Sequence, residues 1–156
     1  MLRTIAVDDP ATPDISALLA THLEFAKEHS PPEHVHALDI EGLRRPNVTF
    51  FSLRESGRLL GVGALKQLDP QHGEIKSMHT ASLARGTGVG RAMLDYLIGE
   101  ARRRGYRRLS LETGTMDAFA PARALYESAG FIESEPFGDY WDNAYSVCMS
   151  LSLADA

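Results

Sequence analysis

The chain reads as a one-domain α+β protein built on a mixed sheet, and three observations carry that reading. Residues 73 to 112 form a strand (Glu74 to Thr80), a glycine-rich turn, a helix to about Arg104 and a second strand, Arg107 to Glu112. Such a βαβ unit makes its two strands parallel and its crossover right-handed. Val48 to Leu53 and Leu59 to Leu65 flank Glu55, Ser56, Gly57 and Arg58, which is a hairpin and therefore antiparallel. Seven strand segments and four helical ones share 156 residues. That length suits one core, with about 70% of the unfolded surface buried, and leaves no room for a second domain, so residues 1–156 are read as one.

Each element has a local cause. Leu2 to Val7 alternates apolar and polar residues as a first strand, ended by Asp8, Asp9 and Pro10. Thr12 or Asp14 then caps a helix whose apolar stripe is Ile15, Leu18, Leu19, Leu23 and Phe25 or Ala26. Ser30, Pro31 and Pro32 break it, and a short helix from about Glu33 to Leu43 precedes Pro46. In the returning strand of the hairpin, Gly61 and Gly63 relieve packing under a helix, with a bulge as the alternative. Leu68 to Gly73 is a turn punctuated by Asp69 and Pro70. The helix after the glycine turn carries Val89, Met93 and Leu97 on one line and Leu94, Ile98 and Ala101 on the next, a broad stripe that belongs on a sheet. In Arg107 to Glu112, Leu109 and Leu111 face one side, Ser110 and Glu112 the other. Pro121 opens a last helix that Gly130 stops, Phe131 and Ile132 begin a sixth strand, and Tyr145 to Leu151 is the seventh.

Composition narrows the function. A net charge of −5 argues against nucleic acid as a partner, since phosphate neutralisation needs a basic face. The cluster Arg102, Arg103, Arg104, Arg107 and Arg108 reads as a solvated helix end that complements the dipole. No apolar run approaches the ~20 residues of a membrane span, and no secretory leader pattern opens the chain, so the expected location is the cytoplasm, as monomer or homodimer. Cys148 stands alone and reads as a small buried strand residue. His34 and His36 are spaced for different helix faces, and with His22, His29, His72 and His79 they show no metal-ligand pattern, so no metal is expected.

The glycine turn carries the chemistry. Gly86, Gly88 and Gly90 remove the Cβ atoms that would hold a bulky anion off the backbone, and the helix that starts among them turns unpaired N–H groups and its positive dipole end to the same place. The expected ligand is a pyrophosphate. No Gly-Lys-Ser/Thr follows, as a Walker loop needs. A dinucleotide fingerprint fails as well, because its third glycine would fall on Arg91 or Met93, although Glu112 imitates its ribose-binding acid. Arg85, Gly88 and Gly90 do fit the acetyl-CoA signature of the GCN5-related N-acetyltransferases (GNAT), which is Arg or Gln, two residues, Gly, one residue, Gly or Ala. Leu125, Tyr126, Gly130 and Phe131 match the leucine-tyrosine and Gly-Phe end of the same family's core. The chain therefore resembles a small GNAT protein over nearly its whole length. The runs Gly73 to Met78, Leu111 to Gly114 and Phe137 to Met149 resemble a narrower group of small acetyltransferases.

The resemblance implies a mostly antiparallel seven-stranded sheet around the parallel unit, acetyl-CoA as co-substrate, and acyl transfer to a primary amine of a small molecule or a protein N-terminus. It also implies the site. Arg85, Gly86, Thr87, Gly88, Val89, Gly90 and Arg91 would hold the pyrophosphate, and the backbone of Met78, His79 and Thr80 would pair with the pantetheine arm. The first two helices would wall the acceptor site. Tyr126 would protonate the departing thiolate. Two carboxylates compete for the base: Glu74, preferred because its spacing from Arg85 matches the strand glutamate of histone-acetylating members, and Glu112, which matches a glutamate of members acting on protein N-termini. Phe119 departs from the pattern, standing where the family often has a cofactor-contacting asparagine. Phe137, Asp139, Tyr140, Trp141 and Asp142 either bind a cation or pack on the fold. A non-catalytic acyl-CoA-binding module is the rival reading.

Overall fold

Leu2 alternates with the residues after it into an edge strand, and the sheet grows inward from there. The computed structural model describes residues 2–31 and 39–154. In chain order they form β1 (Arg3–Val7), α1 (Pro13–His29), α2 (Ile40–Leu43), β2 (Val48–Glu55), β3 (Arg58–Asp69), β4 (His72–Thr80), α3 (Val89–Arg103), β5 (Arg108–Gly114), α4 (Ala120–Ser128), β6 (Ile132–Ser134) and β7 (Ser146–Ser152). The strands make one seven-stranded sheet in the order β1-β2-β3-β4-β5-β7-β6. Only β4 and β5 are parallel; every other pair is antiparallel. The α+β architecture, its mixed sheet and its parallel βαβ unit are thus those the sequence implied. Of the helix expected over 33–43, the described part is Ile40–Leu43. Its start, with His34 and His36, lies outside the described residues.

Both faces of the sheet are covered. Val89, Met93, Leu94, Leu97, Ile98 and Ala101 of α3 are all buried, packed with Phe51, Leu53, Leu65, Ile75, Leu109 and Leu111. Each fully buried leucine or isoleucine contributes ~1.5–3 kcal/mol, so this stripe alone holds α3 on the sheet. Gly61 and Gly63 make that approach possible: a Cβ on Gly61 would stand 2.8 Å from Val89 Cγ1, and one on Gly63 3.0 Å from Met93 Cγ. They relieve packing under a helix, as expected. On the opposite face Ile15, Leu19 and Leu43 cover Phe50, Val62 and Ala64. Thr12 occupies the N-cap of α1 without bonding through its side chain, because Pro13 leaves one fewer amide to satisfy. Asp14 is not the cap either. It takes Arg54 of β2 at 2.6 and 3.0 Å and ties the helix to the sheet.

Two departures from the sequence reading shape the site. The turn expected over 68–73 contracts to Pro70 and Gln71, because Gln67 pairs with Gly73 and Asp69 with His72, which lengthens both strands. In β4, Val62 opposes His79 while Ala64 opposes Lys76, so Ser77 and Met78 together face Gly63 as a bulge. Ser77 sits there at φ 53°, and its buried Oγ has no hydrogen-bond partner among the described residues.

Candidate active site

The parallel pair β4 and β5 is joined only from His72 opposite Arg108 to Glu74 opposite Ser110. Beyond that point the strands part, and a cavity of about 570 Å³ opens between them, walled by α1, the glycine turn, the start of α3 and α4. A bulge at Ser77 and Met78 turns the β4 backbone off its ladder where the cavity begins. The cleft therefore runs along β4 where its pairing with β5 has ended.

At the mouth, Gly86 and Gly88 adopt φ of 76° and 86°, and a Cβ on either would meet nothing within 4 Å, so open space lies beside a backbone only glycine adopts readily. No side chain caps α3. Its first amide bonded back is Ala92, to the Gly88 carbonyl at 3.0 Å, which leaves the amides of Val89, Gly90 and Arg91 to an incoming anion. Arg85, Gly86, Gly88, Val89, Gly90 and Arg91 all line the cavity, as do Met78, His79 and Thr80. The donor set fits a pyrophosphate followed by an extended arm along β4.

Tyr126 lines the same cavity from α4 and is 7% exposed. Burial pushes its hydroxyl up to about 12, so it stays protonated throughout the neutral range. Glu112 reaches the cavity from β5. Glu74 does not. It is 2% exposed, its carboxylate accepts the Tyr140 hydroxyl at 2.6 Å, and Lys76 Nζ lies 3.4 Å away while donating to Tyr140 Oη at 2.7 Å. Of the two carboxylates the sequence offered as base, the tail covers Glu74, and Glu112 lines the cavity. The tail residues that do this pack on the fold, with Phe137 against His72 and Tyr140 at ring distances of 5.7 and 5.0 Å.

Phe119 acquires a role no spacing announced. Its ring meets Phe25 of α1 edge-on at 5.3 Å and lies over Gly114, where any Cβ would strike it. An aromatic wall replaces the side-chain hydrogen bond an asparagine would give. His22 of α1 and His79 of β4 also meet in the cavity, Nδ1 to Nδ1 at 3.2 Å. Sequence reading took His22 only as one of six histidines without a metal-ligand pattern. The signal was its place among Leu18, Leu19, Leu23 and Ala26, on the apolar side of α1.

A mixed sheet that parts between its parallel strands, with an uncapped helix start at the opening and a buried phenol beside it, makes a cavity that fits a phosphate-bearing ligand with an extended arm. Comparison with known proteins gives the family. Residues 14–131 match the model of the acetyltransferase (GNAT) family. The uncharacterized N-acetyltransferase YsnE of Bacillus subtilis is 49% identical over 149 residues, covering 96% of this chain and 99% of that protein. The uncharacterized N-acetyltransferase YedL of Escherichia coli is 45% identical over 97% of this chain and 96% of its own length. A GNAT family acetyltransferase from Elizabethkingia anophelis, solved with acetyl-CoA bound, superposes with a TM-score of 0.71 at 19% identity, over 97% of this chain and 98% of that one. The chain belongs to the GNAT acetyltransferase family; it is an acyltransferase whose co-substrate is acetyl-CoA.

Proposed function

We propose that the protein moves the acetyl group of acetyl-CoA directly to a primary amine, on a small molecule or a protein N-terminus. The observation that carries this reading is the convergence on one cavity of an anion cradle, a protonated phenol and a carboxylate, in Arg85, Gly86 and Gly88 to Arg91, Tyr126 and Glu112. Acetyl-CoA, when bound, supplies an activated thioester. Gly86, Thr87, Gly88, Val89, Gly90 and the flanking Arg85 and Arg91 hold its pyrophosphate, and the backbone of Met78, His79 and Thr80 holds the arm, with the bulge offering N–H groups where carbonyl charge develops. Tyr126, protonated at every pH near neutrality, gives its proton to the departing sulfur and takes none from the amine.

Glu112 meets the acceptor as its ammonium ion and orients it. Glu74, closed under Tyr140, instead fixes the floor of the cleft together with Lys76. Phe25, Phe119 and Tyr145 also line the cavity, which suits an amine carried on an apolar or aromatic body. The test is thiol release from acetyl-CoA over a panel of amines and N-terminal peptides, with the acetylated product identified by mass. Tight acetyl-CoA binding with no product from any amine would overturn transfer and leave a binding module.

A further inference from the structure

His22 and His79 are distant in sequence and have no part in the roles above, beyond the His79 backbone. Their Nδ1 atoms lie 3.2 Å apart, with the ring centroids at 5.0 Å and the planes at 65°. Such a contact is a hydrogen bond only when one nitrogen carries the proton and the other a lone pair. In a neutral imidazole, a proton on Nδ1 leaves Nε2 bare. The donating ring therefore presents a bare Nε2, and the accepting ring keeps its own proton on Nε2. The two rings are in opposite tautomers and act together as one acid and one base, joined by a shared proton. Both line the cavity that also holds Glu112 and Tyr126.

We propose that His22 and His79 form an imidazole relay that takes the proton from the acceptor's ammonium group and passes it to solvent. The inference rests on the amine-acetylation reading. In the step, one N–H bond of the ammonium breaks and its electron pair stays on nitrogen as the nucleophile. A new N–H bond forms at the bare Nε2. The positive charge is then shared across the Nδ1–H···Nδ1 bridge until water removes a proton from either outer nitrogen, and nothing is oxidised or reduced.

The surroundings favour a pair that waits neutral. Burial is the largest cause holding both rings at about 4; the charge of His79 and of Lys76 on the same strand adds to it for His22, and Arg85 adds to it for His79. Glu112, on β5, is the carboxylate that lines the same cavity. Both imidazoles are thus uncharged from about pH 5 upward, which leaves a bare nitrogen open to the ammonium proton, while the same depression weakens them as bases until it is relieved. An anion seated on Arg85 removes one cause of the depression at His79, so loading the cradle makes the relay more basic.

Two measurements test this, the first without turnover. Two-bond ¹H–¹⁵N spectra of the imidazoles should show opposite neutral tautomers for His22 and His79 at pH 7, titrating well below a free imidazole and moving upward when inorganic pyrophosphate is added. Matching tautomers, or independent titration near 6.5, would overturn the relay. The second is His22→Asn, whose amide can still bond His79 but cannot pass a proton, with His22→Gln as the partner variant should it fold poorly. Turnover at pH 7 should fall by ~10²-fold with acetyl-CoA affinity unchanged, and the deficit should close as pH nears the acceptor's own pKa. An equal deficit at every pH would mean packing, and wild-type turnover would mean no role. If wild type acetylates no amine, the functional reading fails, while the tautomer result stands on its own.

Discussion

Tyr126 shows one physical cause serving packing and chemistry together. The ring belongs to the core and lies 6.0 Å from Phe131, and the burial that places it there raises its hydroxyl to about 12. A phenol that reluctant to ionise is a proton donor only. Tyr126→Phe fills the same space, so it should keep acetyl-CoA affinity and fold while lowering turnover by ~10²- to 10⁴-fold. Calorimetry and saturating steady-state rates check the two halves. Glu112 gives the complementary case. If Glu112 orients the acceptor as proposed, Glu112→Gln should raise the acceptor KM about tenfold with a much smaller change in kcat. A fall in kcat alone would make Glu112 the base and remove the orienting role.

Among the elements, α3 is where sequence and site are most directly joined. Its buried stripe presses it on β3 so closely that Gly61 and Gly63 must lack side chains, and its first turn supplies the anion cradle. Gly61→Val should therefore act at a distance. Pushing Val89 outward tilts the start of α3, which should cost ~1–3 kcal/mol of stability and weaken acetyl-CoA several-fold, though position 61 lies outside the cradle. Denaturant melts and calorimetry on the same variant test the coupling; lost stability with unchanged affinity would separate the two. The stripe was legible because six buried residues repeat at a helical period. The glycine turn was legible because positive φ beside a helix start has few residue solutions. His22 was not, since periodicity tells which side of α1 faces the sheet and not which strand residue waits there. Nor was the closure of Glu74, because residues 135–145 have no period, and Phe137 and Tyr140 are placed by contacts with His72 and Glu74 more than sixty residues away in the chain. The short turn at Pro70 and Gln71 escaped because Asp69 and Pro70 read as punctuation until the pairing of Asp69 with His72 is known.

At the scale of the molecule, the sheet consists of two halves joined by little ladder. β1 to β4 make one half and β5, β7 and β6 the other, and between β4 and β5 the register runs only from His72 to Glu74 before the strands diverge. Even that join requires Gly73, where a Cβ would stand 2.6 Å from the Tyr106 ring. The cavity fills the divergence, so a ligand lying in it touches β4 on one side and β5 and α4 on the other, and does the bridging that missing strand pairs would do. Binding energy then appears as stability of the native state. At a hundredfold excess over Kd, acetyl-CoA should add ~2.7 kcal/mol, a rise in Tm of about 5–10 °C for a chain this size. Coenzyme A should give most of that rise, because the cradle and the arm wall contact parts the two molecules share. NAD, which also carries a pyrophosphate, should give little, since Arg91 and Met93 stand where a dinucleotide turn needs its last glycine. Scanning calorimetry of the three ligands at matched concentration decides it. Equal stabilisation by NAD and acetyl-CoA would mean that the cleft recognises the pyrophosphate alone, and that the bulge at Ser77 and Met78 contributes nothing to holding the arm.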